Sequence, residues 1–282
     1  MKKIAIDAGH GLYTAGKRCE RVFDQKETRE WIINNAVAKK VVDLLKNYEC
    51  EIIRTDDIMG ITDVALESRC KKANNFNADV FISIHHNATD IKNKATGIEV
   101  YCCKGASNQT LNLRDTMYNA LLQANENKGN RADGTREEDF YVLKHTKMSA
   151  VLIENGFMST KTDVELILTD EYQLKSATGI VNALVKFLDL KKKNADDNAN
   201  KEQFKKEDTT AISIELNILK KGSKSNEVRT LQTLVNNSIK TKLDVDGVFG
   251  VKTLAAVKQF QTFKKISADG IVGTVTWNKL LK

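Results

Sequence analysis

The 282-residue sequence contains no proline, so no helix or strand is ended by a ring that fixes φ and removes a donor. Every stop signal has to come from glycine, asparagine or aspartate. Cysteine is sparse and poorly spaced for structural chemistry. The five thiols stand at 19, 50, 70, 102 and 103, an odd count without a C-x-x-C pair. That pattern suggests neither a disulfide framework nor a thiolate zinc site, and reduced thiols are the reading. Cys102 and Cys103 are neighbours in an expected strand, where they point to opposite faces, and carry no assigned chemistry. Long hydrophobic runs are missing as well. The apolar residues after Lys2 and Lys3 stop at Asp7, far short of a signal-peptide core, and no other stretch approaches a membrane span. The expectation is a protein made in the cytoplasm, with no membrane insertion and no built-in export route.

A basic surplus is lacking over three quarters of the chain. From residue 213 onward there are 12 Lys and Arg against 5 Asp and Glu, a net +7 that equals the charge of the whole chain. The part before residue 213 is therefore neutral. Such asymmetry points to a C-terminal segment that meets an anionic polymer, which nucleic acid, membrane or an acidic cell wall would each satisfy.

What is present is enough apolar material, 41% of residues, for a sizeable core plus something smaller, and length sets two domains as the prior. KIAID at 3–7, EIIRT at 51–55, VFISI at 80–84, GIEVYCC at 97–103 and VLIE at 151–154 read as strands. Trp31, Asn34, Ala38, Val41, Val42 and Leu45 fall at helical spacing within 30–47. Further helical patterns cover 62–75, 107–125 and 170–188. The alternation predicts an α/β domain with a mostly parallel sheet covered by helices on both faces. Residues 190–212, LKKKNADDNANKEQFKKEDTTAI, are charged and almost devoid of large apolar side chains, as in a flexible linker. Beyond them an internal repeat appears: Asp246-Gly247-Val248-Phe249-Gly250 with Thr253, then Asp269-Gly270-Ile271-Val272-Gly273 with Thr276. Each copy reads as a tight turn followed by a helix start. Val228, Leu231, Leu234 and Val235, then Leu254, Val257 and Phe260, then Trp277, Leu280 and Leu281 can close a three-helix core.

Two histidines sit where the sheet reading puts the carboxyl ends of strands, His10 in DAGHG and His85 in SIHHN, which is where sites assemble in open parallel sheets. Gly9 and Gly11 remove bulk around His10. Glu30 opens the helix that follows the first strand. Two imidazoles and one carboxylate can hold zinc tetrahedrally with a position left for water, the pattern of a catalytic metal. Each residue also has a plainer explanation. His10 could bond to backbone in a loop, and Glu30 could serve the helix dipole. His86 could replace His85, since neighbours in extended chain face opposite ways. Glu154 ends an apolar strand, where a carboxylate is costly unless it serves a site, or else it leaves the sheet into solvent.

Residues 3–188 resemble the zinc-dependent N-acetylmuramoyl-L-alanine amidase family often called amidase 3. The landmarks stand here as KIAIDAGHG, a Glu followed by a helix ending NAVAKKV, FISIHHNA, and SAVLIENGFMST. The resemblance implies one Zn2+ held by His10, Glu30 and His85, with Glu154 as the catalytic carboxylate. Glu27 lies one turn from Glu30, which is preferred for its distance from NAVAKKV. Ser149 stands where the family usually has proline. Residues 213–282 resemble the peptidoglycan-binding domain 1 family through EVRTLQTLVN, DVDGVFGVKTLAAVKQFQ and ADGIVGTVTWNKLL, which implies a small all-α three-helix domain that binds the wall. The expected organisation is a catalytic domain over 1–189, a linker over 190–212 and a wall-binding domain over 213–282. The implied reaction is hydrolysis of the amide between the lactyl group of N-acetylmuramic acid and L-alanine of the stem peptide. Peptidoglycan and anionic wall polymers are the expected partners. Nucleic acid is not, because the α/β part has no basic surplus to follow a phosphate backbone. A phage lysis enzyme released by a holin-like partner fits this reading, as does a bacterial autolysin freed by mother-cell lysis. A wall-binding protein without activity and a metal-free, lysozyme-like glycosidase with paired carboxylates are the rivals.

Overall fold

Strands that alternate two sets of apolar side chains must bury both faces, and in this chain they do. The computed structural model describes residues 1–193, 219–264 and 266–280; of the expected linker, residues 194–212 lie outside the described residues. The chain divides into two compact units, Met1–Asn200 and Lys201–Lys282. In the first, six strands, β1 (Lys2–Ala8), β2 (Cys50–Arg54), β3 (Val80–Asn87), β4 (Ile98–Cys102), β5 (Thr135–Glu137) and β6 (Ser149–Phe157), form one sheet in the order β2-β1-β3-β6-β4-β5. Every pairing is parallel except β4 with β6. The reversal has a simple cause: residues 88–97 between β3 and β4 contain no helix, so the chain re-enters at the sheet edge it has just left.

The helices of this unit are α1 (Glu30–Leu45), α2 (Leu66–Phe76), α3 (Asn108–Ala124), α4 (Tyr141–Lys144), α5 (Lys161–Ile167) and α6 (Asp170–Leu188). On one face, Ile4, Ile6, Ile82, Ile84, Val151 and Ile153 pack with Val37 and Val41 of α1, Leu121 of α3, and Ile180 and Leu184 of α6. On the other, Ala5, Phe81, Tyr101 and Leu152 pack with Cys70 and Ala73 of α2 and Val142 and Leu143 of α4. The expected mostly parallel sheet with helices on both faces is thus found. Three short elements, β5, α4 and α5, carry no periodic signal in the sequence. Two strands run further than their apolar cores: β3 continues through His85 to Asn87, and β6 through Glu154 to Phe157. Without proline, helices end on residues that tolerate the left-handed region: α2 on Asn77 (φ 53°) and α6 on Asp189 (φ 53°).

In the second unit α7 (Asn226–Ile239), α8 (Val251–Phe263) and α9 (Thr274–Leu280) surround Val228, Leu231, Val235, Val257, Phe260, Trp277 and Leu280. Leu281 lies outside the described residues. The sequence repeat has a structural identity. Gln232 donates to Asp246 Oδ1 (2.8 Å), the Val248 carbonyl (3.1 Å) and Thr253 Oγ1 (3.1 Å), and accepts from Gly247 N (3.0 Å). Gln261 does the same with Asp269 (2.9 Å), Ile271 (3.0 Å), Thr276 (3.1 Å) and Gly270 (2.8 Å). In each copy the fourth residue, Phe249 or Val272, is buried in the core while the third, Val248 or Ile271, faces out. Gly247 and Gly270 sit at φ 78° and 77°, which a Cβ would strain. Since a buried polar group left without its partner costs about 1–3 kcal/mol, Gln261→Leu is expected to lower the opening free energy of α7 and α8 amides by about 2–4 kcal/mol in native-state hydrogen exchange. Protection in β1 and β3 should be unchanged.

Candidate active site

The site grows from the carboxyl ends of β1, β3 and β6. Asp7, near the end of β1, is fully buried, a position that by itself disfavours its charge. Arg69 of α2, donating from Nη1 at 2.8 Å, Thr55 Oγ1 (2.7 Å) and the His85 imidazole together outweigh this, so the Asp7 pKa lies below the ordinary value; Ser83 Oγ (2.8 Å) also donates to the carboxylate. The same guanidinium donates to the carbonyls of Ala8 (2.8 Å), His10 (2.9 Å) and Val64 (2.7 Å). It thereby ties α2 to the turn that carries His10. His10 itself has φ 66°, a conformation that costs a non-glycine residue about 1 kcal/mol or more and has to be held by its surroundings.

Glu30 is the first residue of α1, and its backbone N–H is taken by the Lys17 carbonyl at 3.0 Å. Its side chain points inward and is 1% exposed. His10 Nε2 lies 3.2 Å from Glu30 Oε2, and His85 Nδ1 lies 3.1 Å from Oε1. The two imidazoles meet edge to face with centroids 4.9 Å apart. Asn34, one turn further along α1, donates to Glu30 Oε1 (3.3 Å) and to the Gly9 carbonyl (3.1 Å), and His86 N also donates to Oε1 (3.3 Å). Burial disfavours ionised Glu30, yet the two imidazoles hold its carboxyl well below the usual range. Burial likewise opposes protonation of His85, and the adjacent Glu30 reverses this, so its pKa is raised.

The donor atoms of His10, Glu30 and His85 all lie within 4.8 Å of one another. Glu30 Oε2 is buried but accepts no hydrogen bond, which is the state of an oxygen placed for a cation. The 3.2 Å between His10 Nε2 and Glu30 Oε2 is close to the edge of a tetrahedron with metal–ligand bonds of about 2.1 Å, and a donor set of two imidazoles and one carboxylate suits Zn2+. The residues present therefore fit the ion. The two alternatives weighed from the sequence stand elsewhere. His86 turns to the other face, its Nδ1 2.7 Å from Asn34 Oδ1, and burial lowers its pKa to about 4. Glu27 lies beside Arg18 at 3.2 Å, partly exposed and outside the cluster.

Glu154 stands directly opposite His85 in the β3–β6 register and opposite Glu99 in the β4–β6 register. Glu99 is buried but amply compensated, by Arg131 (3.2 Å), Arg136 (3.5 Å), Tyr101 Oη (2.7 Å) and Asn87 Nδ2 (2.8 Å). Glu154 is not: its buried Oε2 has no hydrogen-bond partner. Burial, opposed by His85 and reinforced by the negative charges of Glu30 and Glu99, pushes its pKa up to about 8. His10, His85 and Glu154 open into one cleft of about 510 Å³ that Leu66, Phe140, Tyr141 and Val142 also line. A cation site beside a carboxyl group of raised pKa is the equipment of metal-assisted hydrolysis with general acid–base catalysis. The sequence reading missed Arg69, Asp7 and Asn34. Asp7 alone left a signal, as a charged residue at the end of a strand that must be buried.

A family model for N-acetylmuramoyl-L-alanine amidase matches residues 4–186, and one for a peptidoglycan binding domain matches residues 224–280. The chain is 31% identical over 195 residues to N-acetylmuramoyl-L-alanine amidase CwlM of Bacillus licheniformis, covering 69% of this chain and 72% of that protein. It is 31% identical over 206 residues to the endolysin of Bacillus phage SPP1, covering 71% of each. The crystal structure of an N-acetylmuramoyl-L-alanine amidase from Clostridium difficile 630 superposes with a TM-score of 0.61 at 31% identity, over 67% of this chain and 97% of that one.

Gly9 provides a test of the site's packing. A Cβ at this position would lie 2.0 to 2.4 Å from three atoms of the His85 imidazole. Gly9→Ala is expected to displace that ring and weaken Zn2+ binding by about 10- to 100-fold in competition with a chromophoric chelator, the range seen when ligand support is lost. Unchanged affinity would separate His85 from the metal.

Proposed function

The chain belongs to the N-acetylmuramoyl-L-alanine amidase family, and from that premise we propose that His10, Glu30 and His85 hold one Zn2+ while Glu154 carries the proton during hydrolysis. The reaction is that of a cell-wall amidase. It cuts the amide between the lactyl group of N-acetylmuramic acid and L-alanine of the peptidoglycan stem peptide. The observation that carries the residue assignment is the register: Glu154 faces His85 across β3 and β6, in one cleft, with no other partner for its Oε2.

Bound Zn2+ supplies Lewis acidity toward the scissile carbonyl and lowers the pKa of water at neutral pH. Glu154 accepts the proton of the attacking water as the C–O bond forms. It then delivers that proton to the nitrogen of L-alanine as the C–N bond breaks, so one carboxyl group is base first and acid second. Its raised pKa makes it a better base than an exposed glutamate, and a neighbouring cation draws that pKa down from about 8. Asn34 and the His86 N–H hold one oxygen of Glu30, which leaves the other to face His10.

We assign catalysis to 1–189, a linking role to 190–212 and wall attachment to 213–282, where the surplus of +7 favours anionic wall polymers as well as peptidoglycan. Both a bacterial amidase and a phage endolysin are relatives at 31% identity, and the bond cut is the same for either setting. Among the described residues no helix is long and apolar enough to cross a membrane.

Digestion of purified peptidoglycan should release new L-alanine amino termini without new reducing sugars, and a zinc chelator should abolish this until zinc is restored. New reducing ends, or indifference to chelation, would count for a glycosidase. Glu154→Gln should keep the fold and metal affinity but lose about 10²- to 10⁴-fold in kcat. Because the base must be ionised, wild-type kcat/KM should fall as pH drops through the Glu154 pKa, which lies below about 8 with the cation bound. That acid limb should vanish in the residual activity of the Gln variant.

A further inference from the structure

The charged groups that line the cleft are nearly all spent. Asp7 and Asp63 are both bonded to Arg69, and Arg69 is itself 1% exposed and saturated by those carboxylates and three backbone carbonyls. Lys17 is different. It lines the same cleft as His10, His85 and Glu154, it is exposed, and among the described residues its ammonium has no carboxylate or hydrogen-bond partner. It is also well placed. The Lys17 carbonyl accepts the N–H of Glu30 at 3.0 Å, and its own N–H is bonded to Thr14 at 3.4 Å, so its backbone is fixed to the first turn of the helix that bears the central carboxylate of the site. Its charge reaches Glu154, whose ionised form it favours. Leu66, Phe140, Tyr141 and Val142, which also line the cleft, contribute no cationic side chain.

The geometry points to Lys17 as a specificity-determining residue that binds the free α-carboxylate of the second stem-peptide residue. This rests on the amidase reading of the site. In the substrate, L-alanine is followed by a glutamate joined through its side-chain carboxyl, which leaves an α-carboxyl that walls carry as carboxylate or as carboxamide. With the departing nitrogen at Glu154, that group lies no more than about 7 Å further on, since two extended residues span at most that length. Lys17 is the one cation with an uncommitted charge that lines the cleft, among the described residues. A lysine ammonium meets a carboxylate as a compact point charge and gains nothing comparable from a neutral amide.

The test uses the full-length, zinc-loaded chain and soluble muramyl-peptide fragments released from walls by a muramidase, in two forms that differ only in carboxylate or carboxamide at residue two. Wild type should prefer the carboxylate by about 5- to 10-fold in kcat/KM, the scale of a partly exposed ion pair, and mainly through KM. Lys17→Met should bring the ratio close to one, and Lys17→Arg should preserve it. A wild-type ratio of one, or a Lys17→Met ratio equal to wild type, would overturn the assignment while leaving the amidase intact. Failure of wild type to release L-alanine amino termini from either fragment would sink the amidase reading and this inference with it.

Discussion

A carboxylate taken out of water must be compensated, and the edge of the sheet that carries the site buries three and half-buries a fourth. The cost of an isolated buried charge is several kcal/mol even after relaxation, so each of Asp7, Glu30, Glu99 and Glu154 demands a partner or a shifted pKa. Asp7 has Arg69, and Glu99 has two arginines, a tyrosine and an asparagine. Glu30 has two imidazoles, of which His85 is favoured in its protonated form by the Glu30 charge, and one oxygen without a hydrogen bond. Glu154 has least, and its pKa rises accordingly. The compensation falls from full to almost none: the best-paired groups set the framework, and the least-paired group is the one proposed to carry the proton.

Backbone geometry follows from the same accounting. The Arg69 guanidinium that neutralises Asp7 has donors left over, and they go to the carbonyls of Ala8 and His10. One buried charge pair therefore fixes the turn in which His10 takes its left-handed conformation. Parallel register does the rest, placing Asp7 beside Ser83 and His85 beside Glu154 on one face of the sheet, with the glycine at position 9 leaving room for the imidazole.

Much of this was legible in the residues. The short β-branched apolar runs located the central strands, and the positions of His10, His85 and Glu30 relative to them suggested a shared site. The ambiguity between His85 and His86 could be posed from alternation but not decided, because it depends on which face α1 covers. Arg69 illustrates what sequence could not give. On a helix that also holds Glu67, Lys71 and Lys72 it reads as one more solvated charge, and only the packing of α2 against the end of β1 turns it inward. The antiparallel β4 was hidden for a different reason, since a strand's direction is set by the connection before it and not by its own residues. β5 is three residues long and wholly polar, too short for any period to register.

The second unit shows the converse, a loud sequence signal whose polar side chains serve the fold. Its repeated Asp-Gly turn, with the Thr that follows and the Gln that reaches back, is spent on internal hydrogen bonds, and the Gln and Thr side chains are buried. Of that motif, the outward-facing Val248 and Ile271 and the outer edges of the two aspartates reach the surface. Lys220, Lys221, Lys224, Arg229, Lys252 and Lys258 are exposed. The attachment proposed for this unit is one that its surface charge can supply. Charges spread over a surface act within about a Debye length and without a fixed register. An attraction of that kind holds an enzyme to a polymer without fixing it to one repeat, which is what hydrolysis of many identical bonds along the polymer requires.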